Sequence, residues 1–235
     1  ELLKAIEETV QKKGKILIPT FAIERTQELL YDLDVLYEKN LVPHIPVYLD
    51  SPMAVKATEI YKKFPEFYEE PLRELIRNGE NPFHFPNLKY SIRVEESMAI
   101  NAMKGPIIIM AGSGMCTAGR IKHHIKHEIG HENNAIIFVG YQSPGSLGFH
   151  IKRGEKTVRL LGKQIPVKAK VYSIDSFSGH ADYNGLLTWF DRILPQPKKV
   201  FVTHGDEESA KAFVQKLQDN GVDAHDPYIG EEIEL

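Results

Sequence analysis

Cysteine is nearly absent. Cys116 is the one cysteine in 235 residues, which excludes an internal disulfide and fits a reducing compartment, so a cytoplasmic location is expected. Long apolar runs are missing as well. The longest, Pro106 to Ala111, has strand length and falls far short of the roughly 18 residues that span a bilayer, so no membrane partner is expected. Neither charge dominates: Lys and Arg total 29 against 32 Asp and Glu, a formal −3. That excludes a general polyanion-binding surface, and any nucleic-acid contact has to be local. The chain opens on Glu1 without Met or a signal-peptide pattern, and reads as a piece of a longer protein. What is present, 42% hydrophobic and 26% charged residues, is the balance of a globular chain and excludes disordered and collagen-like classes.

Leu3, Ile6 and Val10 fall at helical spacing and Gly14 closes that helix. Lys15 to Pro19 reads as a short buried strand, followed by a helix from Ala22 to about Tyr37 with Leu29, Leu33 and Leu36 on one face. Pro46 to Asp50 is the next strand, and Ser51-Pro52 supplies an N-cap and a helix-starting proline. A further helix stops at Asn78-Gly79, and 81–91 reads as irregular. Ile107 to Met110 and Ala135 to Val139 are strands, each followed by a glycine-rich loop (Gly112 to Gly119, Gly140 to Gly148), with a helix from Arg120 to Glu128. Apolar strands alternating with helices indicate an α/β fold with a parallel sheet covered on both faces.

After Gly154 the grammar changes. A hairpin is expected around a Gly162-Lys163 turn, then a helix from Tyr183 to Ile193, a strand from Val200 to Thr203 and a helix from Glu208 to Asn220. The expected domains are 1–155 and 156–235.

Gly112 to Gly119 lies between a strand and a helix, where backbone N–H groups and a helix dipole can converge on an anion. Thr117 replaces the third glycine of a dinucleotide fingerprint, and the next strand ends in Gly140-Tyr141 without a ribose-gripping acid. A phosphate-binding loop or a plain tight turn remains. His127-Glu-Ile-Gly-His131 matches H-E-x-x-H literally, but Gly130 sits where a C-cap would end the helix, so a zinc protease is disfavoured. His123 and His124 read as a solvated polar face near a helix C-terminus. Ser178 can cap the helix that follows it, and His180 falls in or beside its first turn. His204 stands at the carboxyl end of a strand, where open α/β sheets place their sites.

Six segments in order carry a resemblance: Ile18 to Glu28, Tyr48 to Ala54, Met110 to Met115, Phe138 to Leu147, Phe177 to Asp182, and Val202 to Asp206. Together they resemble the β-CASP branch of the metallo-β-lactamase superfamily, the cleavage-and-polyadenylation specificity factor-like nucleases and, more distantly, ribonuclease J. The resemblance implies a β-CASP domain followed by the C-terminal portion of a lactamase-like αββα domain. It implies a zinc-dependent ribonuclease that hydrolyses RNA phosphodiesters in 3′-end processing or decay, by endo- or 5′-exonucleolytic action. His180 would be the motif B histidine near the scissile phosphate, and His204 the motif C histidine, a zinc ligand. Gly112, Ser113, Gly114, Met115, Tyr141, Gln142 and Ser178 would surround an RNA phosphate. Arg25, Arg120, Lys122 and Lys152 would line the RNA path.

The family's H-x-H-x-D-H zinc motif does not occur between Glu1 and Leu235. Two zinc ions are therefore expected in a full-length protein, and none in this chain, which alone is expected to be inactive. A non-catalytic RNA-binding scaffold and the protease stand as alternatives, and a homodimer is left open.

Overall fold

A computed structural model describes residues 1–177 and 179–233. The chain packs as two compact units that divide after residue 178. The sequence boundary near 155 marks a change in element grammar, which is a different property from compactness. The first unit runs α1 (Leu2–Gln11), β1 (Lys15–Pro19), α2 (Arg25–Glu38), β2 (Val47–Leu49), α3 (Pro52–Tyr61), α4 (Glu70–Arg77), β3 (Leu88–Tyr90), α5 (Val94–Ala102), β4 (Ile107–Ala111), α6 (Ile121–Glu128), β5 (Ala135–Phe138), α7 (Leu147–Lys152), β6 (Thr157–Leu160), β7 (Lys163–Pro166) and β8 (Lys170–Ser173).

Strands β3-β2-β4-β1-β5-β8 form one sheet in that order, every neighbouring pair parallel. Alternation along the strands feeds two apolar layers. Ile16, Ile18, Ile108 and Met110 face a cluster with Ile6, Leu29 and Leu33. Leu17, Ile109 and Phe138 face Ile121, Ile125 and Ile151. Both faces are thus buried, as the unbroken apolar strands required, each such side chain contributing about 1.5–3 kcal/mol.

Ser51 Oγ accepts the Ala54 amide at 3.2 Å, so the Ser51-Pro52 start of α3 is as the sequence indicates. Within 81–91, read as irregular, β3 pairs with β2 at the sheet edge. The β6–β7 hairpin turns on Leu161 and Gly162, one residue earlier than expected from Gly162-Lys163. Both turn residues have positive φ (49° and 77°), the backbone a two-residue type I′ turn demands. The long run after this turn does not stay in the hairpin, because β8 joins β5 in the main sheet.

The second unit holds α8 (Tyr183–Asp191), β9 (Val200–Phe201), α9 (Glu207–Asp219) and β10 (Ala224–His225). Strands β9 and β10 pair in parallel over a small core of Phe190, Leu217 and Ala224. No described helix is long and apolar enough to cross a membrane.

Candidate functional site

In the first unit, the carboxyl ends of β1, β2 and β4 open into a crevice of about 470 Å³. Open α/β sheets place their ligands at this edge. Its walls come from the loops after these three strands, including Phe21, Ser51, Met53, Gly112, Ser113 and Arg120. Two helices point their N-termini here: α3, capped by Ser51, and α6, which begins immediately after Arg120. Converging N–H ends favour an anion.

The glycine-rich loop is internally braced. Ser113 Oγ accepts the amides of Thr117 (3.1 Å) and Ala118 (3.2 Å), and Ser113 N donates to Ala118 O. Two of the amides that sequence reasoning would have aimed at a phosphate are therefore spent on Ser113. The Ser51 hydroxyl, which accepts the Ala54 amide, keeps its own hydrogen to donate, while the Ser113 hydroxyl also lies 3.3 Å from Thr117 Oγ1. Gly114 lies directly under Phe21: a Cβ there would stand 2.8 Å from the ring. Phe21 is itself 46% exposed.

A charge network that sequence reasoning did not find reaches the crevice wall through Asp50 and Arg120. Asp50 is fully buried, and its Oδ1 accepts from Arg120 Nη1 at 2.6 Å. Its Oδ2 accepts from Ser97 Oγ at 2.5 Å and meets His124 Nε2 at 2.7 Å. His124 Nδ1 faces Asn101 Oδ1 at 2.7 Å, and Arg120 Nη2 donates to the Ile92 carbonyl at 2.6 Å. Burial pushes the Asp50 carboxyl up, but bonds from His124, Ser97 and Arg120 outweigh it and hold the pKa at about 2. His124, expected on a solvated face, is 0% exposed. The signal available was Asp50 itself, an acid directly after an apolar strand and before Ser51-Pro52.

The other expected residues fall as follows. Gln142 is buried and donates from Nε2 to the carbonyls of Gly114 (3.0 Å) and Gly140 (3.3 Å), tying the two glycine-rich loops together. Met115 Sδ accepts from Ser143 Oγ at 3.2 Å, and Tyr141 is 54% exposed. The cationic candidates are all engaged. Arg25 pairs with Glu28 and lies over the Phe177 ring, Lys152 pairs with Asp175 at 3.1 Å, and Lys122 donates to the Thr117 carbonyl. In the second unit, His180 and His204 are both exposed and lie two residues before the N-caps of α8 and α9, Asp182 and Asp206. Asp182 caps α8 through Gly185 N at 2.7 Å, so His180 precedes the first turn rather than sitting in it. Ser178 lies outside the described residues.

The H-E-x-x-H reading fails on geometry. Helix α6 ends at Glu128, short of His131, and Glu128 is buried against Lys15 Nζ at 2.6 Å with Asn134 on its other oxygen. A carboxylate so committed cannot serve as a protease base. Among the described residues no three His, Cys, Asp or Glu side chains gather as a metal-holding group. The described residues therefore do not by themselves make up a zinc centre.

Comparison with known proteins gives two family matches. A Beta-Casp domain model matches residues 26–151, and a model of a Zn-dependent metallo-hydrolase RNA specificity domain matches residues 164–227. The chain is 41% identical over 218 residues to Ribonuclease TTHA0252 of Thermus thermophilus, covering 92% of this chain and 49% of the relative. It is 36% identical over 224 residues to transcription termination factor FttA of Methanocaldococcus jannaschii, covering 93% of this chain and 35% of the relative. An RNase J-like protein of the same archaeon is 31% identical over 217 residues, covering 92% of this chain and 49% of the relative. The chain thus spans about half the length, or less, of these relatives.

Proposed function

Since this chain belongs to the Beta-Casp family, we propose that it provides the RNA-holding part of a zinc-dependent ribonuclease. The observation that carries the reading is the pairing, in one chain, of a Beta-Casp domain with a domain described as conferring RNA specificity on Zn-dependent metallo-hydrolases. The relatives' names, a ribonuclease and a transcription termination factor, support RNA as the substrate class. The crevice adds a physical reason. It offers two helix N-termini, two serine hydroxyls and the exposed Phe21 ring in one concavity. Phosphate can meet the helix ends and hydroxyls, while a base of single-stranded RNA stacks on the ring.

In this reading Arg120 is a positioning residue. Its charge is met by Asp50, and its bonds to Asp50 and Ile92 O fix the loop that ends at Gly119. Gln142 likewise holds the loop's shape through the Gly114 carbonyl. His180 is assigned to the scissile phosphate and His204 to metal ligation, on the resemblance of their motifs. Cys116 is buried, and burial pushes its thiol up to about 12, which leaves it without thiolate chemistry at neutral pH.

The test is RNA hydrolysis by the protein expressed from the whole reading frame that encodes this chain. The expected result is cleavage of single-stranded RNA that chelation abolishes and zinc restores. A metal-loaded protein that binds RNA without cleaving it would establish the scaffold reading instead.

A further inference from the structure

A second cavity in the first unit, of about 590 Å³, lies against α2 and takes no part in the RNA reading. Its size falls within the range of small-ligand sites. One wall is acidic. Glu24, Glu28 and Asp32 recur every fourth residue along α2 and its N-cap, and Glu69 faces them from the start of α4. Among the described residues Glu24, Asp32 and Glu69 form no ion pair, whereas Glu28 pairs with Arg25. Burial first, and then Glu28, push the Asp32 carboxyl above its ordinary range. The opposite wall is aromatic: Tyr61 and Tyr68 stack at 6.4 Å, and Tyr68 meets Phe83 edge-on at 6.2 Å.

An independent observation points to a missing donor. Gln27 lines this cavity and is 3% exposed. Its Nε2 donates to Thr58 Oγ1 at 2.9 Å and to the Ala22 carbonyl at 3.3 Å. A carbonyl can only accept, which fixes the amide's orientation and leaves Oε1 as a buried acceptor with no partner. The Tyr68 hydroxyl at the same cavity is also buried and unpartnered. Carboxylates, π-faces and an unused acceptor share one complement, an N–H-bearing organic cation. The wall already holds one internally, since the Arg25 guanidinium lies 5.7 Å from the centre of the Phe177 ring. A small hydrated metal ion would use the carboxylates but gain little from the rings.

We propose that this cavity binds an alkylammonium cation, either a free polyamine or the lysine side chain of a peptide, with its ammonium groups on Asp32, Glu69 and Gln27 Oε1 and its methylenes against Tyr61 and Tyr68. The site is separate from the RNA crevice and does not depend on that assignment.

Calorimetric titration of the 235-residue chain at 150 mM salt (roughly physiological, to suppress loose surface pairing) tests it with three probes: spermidine, a lysine-containing neutral peptide, and magnesium chloride. One saturable equivalent of spermidine or peptide is expected, and whichever binds tighter identifies the source. Asp32→Asn and Tyr61→Ala should each weaken binding about tenfold, while Tyr61→Phe, which keeps the ring, and Glu132→Gln, an exposed charge outside the cavity lining, should change it less than twofold. Thermal melts of each variant keep affinity loss apart from unfolding. Saturable magnesium binding without spermidine or peptide binding would overturn the proposal, as would ammonium binding indifferent to both Asp32→Asn and Tyr61→Ala.

Discussion

Arg120 and Asp50, 70 positions apart in the chain, meet at 2.6 Å in the wall of the crevice, and the pair joins the loop after β4 to the end of β2. The Asp50 side chain is wholly buried and that of Arg120 is 19% exposed, so the carboxylate has no water to fall back on. Asp50→Asn should therefore cost about 3–5 kcal/mol, the range for leaving one partner of a buried pair behind. Urea unfolding of the variant reads this directly. A loss below about 1 kcal/mol would place the pair among ordinary surface bridges.

The same network sets an acid limit on stability. The folded pKa of Asp50, about 2, lies below its unfolded value. Its contribution, about 2 kcal/mol, is fully present above roughly pH 4 and is lost as the pH falls through about 2. Unfolding free energies measured from pH 5 down to pH 2 should decline, and decline less in Asp50→Asn.

Asp34 carries the opposite sign. Burial, then Glu38 and Glu80, raise its carboxyl from 3.8 to about 6, so its destabilising effect is fully present above about pH 6 and disappears only as the pH falls below its ordinary value. Asp34→Asn should stabilise the chain at pH 7.5 by about 1 kcal/mol, discounted for partial exposure, and leave it nearly unchanged near pH 3. Equal effects at both pH values would remove the electrostatic explanation.

The central strands and the start of α3 were legible because their signals are local. Ile16 to Ile18 and Ile107 to Ile109 are unbroken apolar runs, and Ser51-Pro52 carries its cap within three residues. The charge network was not legible, because its bonds join Asp50 to Ser97, Arg120 and His124 across 47, 70 and 74 positions. No periodicity records such a meeting. Strands β3 and β10, of three and two residues, were missed for a related reason: they exist through a neighbouring strand rather than through their own composition. The crevice's glycine-rich loop was visible, but not its internal bracing by Ser113, which changes which groups remain for a ligand.

Lys15 and Glu128, both nearly buried, give a clean stability test. Lys15→Met leaves the Glu128 carboxylate unpaired and should cost about 3–5 kcal/mol, whereas Lys15→Met with Glu128→Leu should recover most of that loss. Failure of the double variant to recover would show that Asn134 and the local packing, rather than the charge pair, dominate.

His180 and His204 should separate in the protein made from the whole reading frame. His204→Ala should lower bound zinc and cleavage together. His180→Ala should keep zinc and RNA affinity while slowing cleavage by ~10²–10⁴, the range for a positioned proton donor. Elemental analysis with single-turnover cleavage distinguishes them, and a normal rate for His180→Ala would remove it from the chemistry.

RNA lying in the crevice beside Phe21 and Gly114 is tested directly by one titration. Fluorescence anisotropy of a labelled single-stranded RNA is followed with the native chain and with Gly114→Val. The added side chain must displace the Phe21 ring, which lies 2.8 Å from the position of the first carbon. At least a tenfold loss of affinity is expected with the far-ultraviolet circular dichroism unchanged, about the contribution of one stacked base. Undiminished affinity in a folded Gly114→Val chain would contradict the account and place the RNA elsewhere.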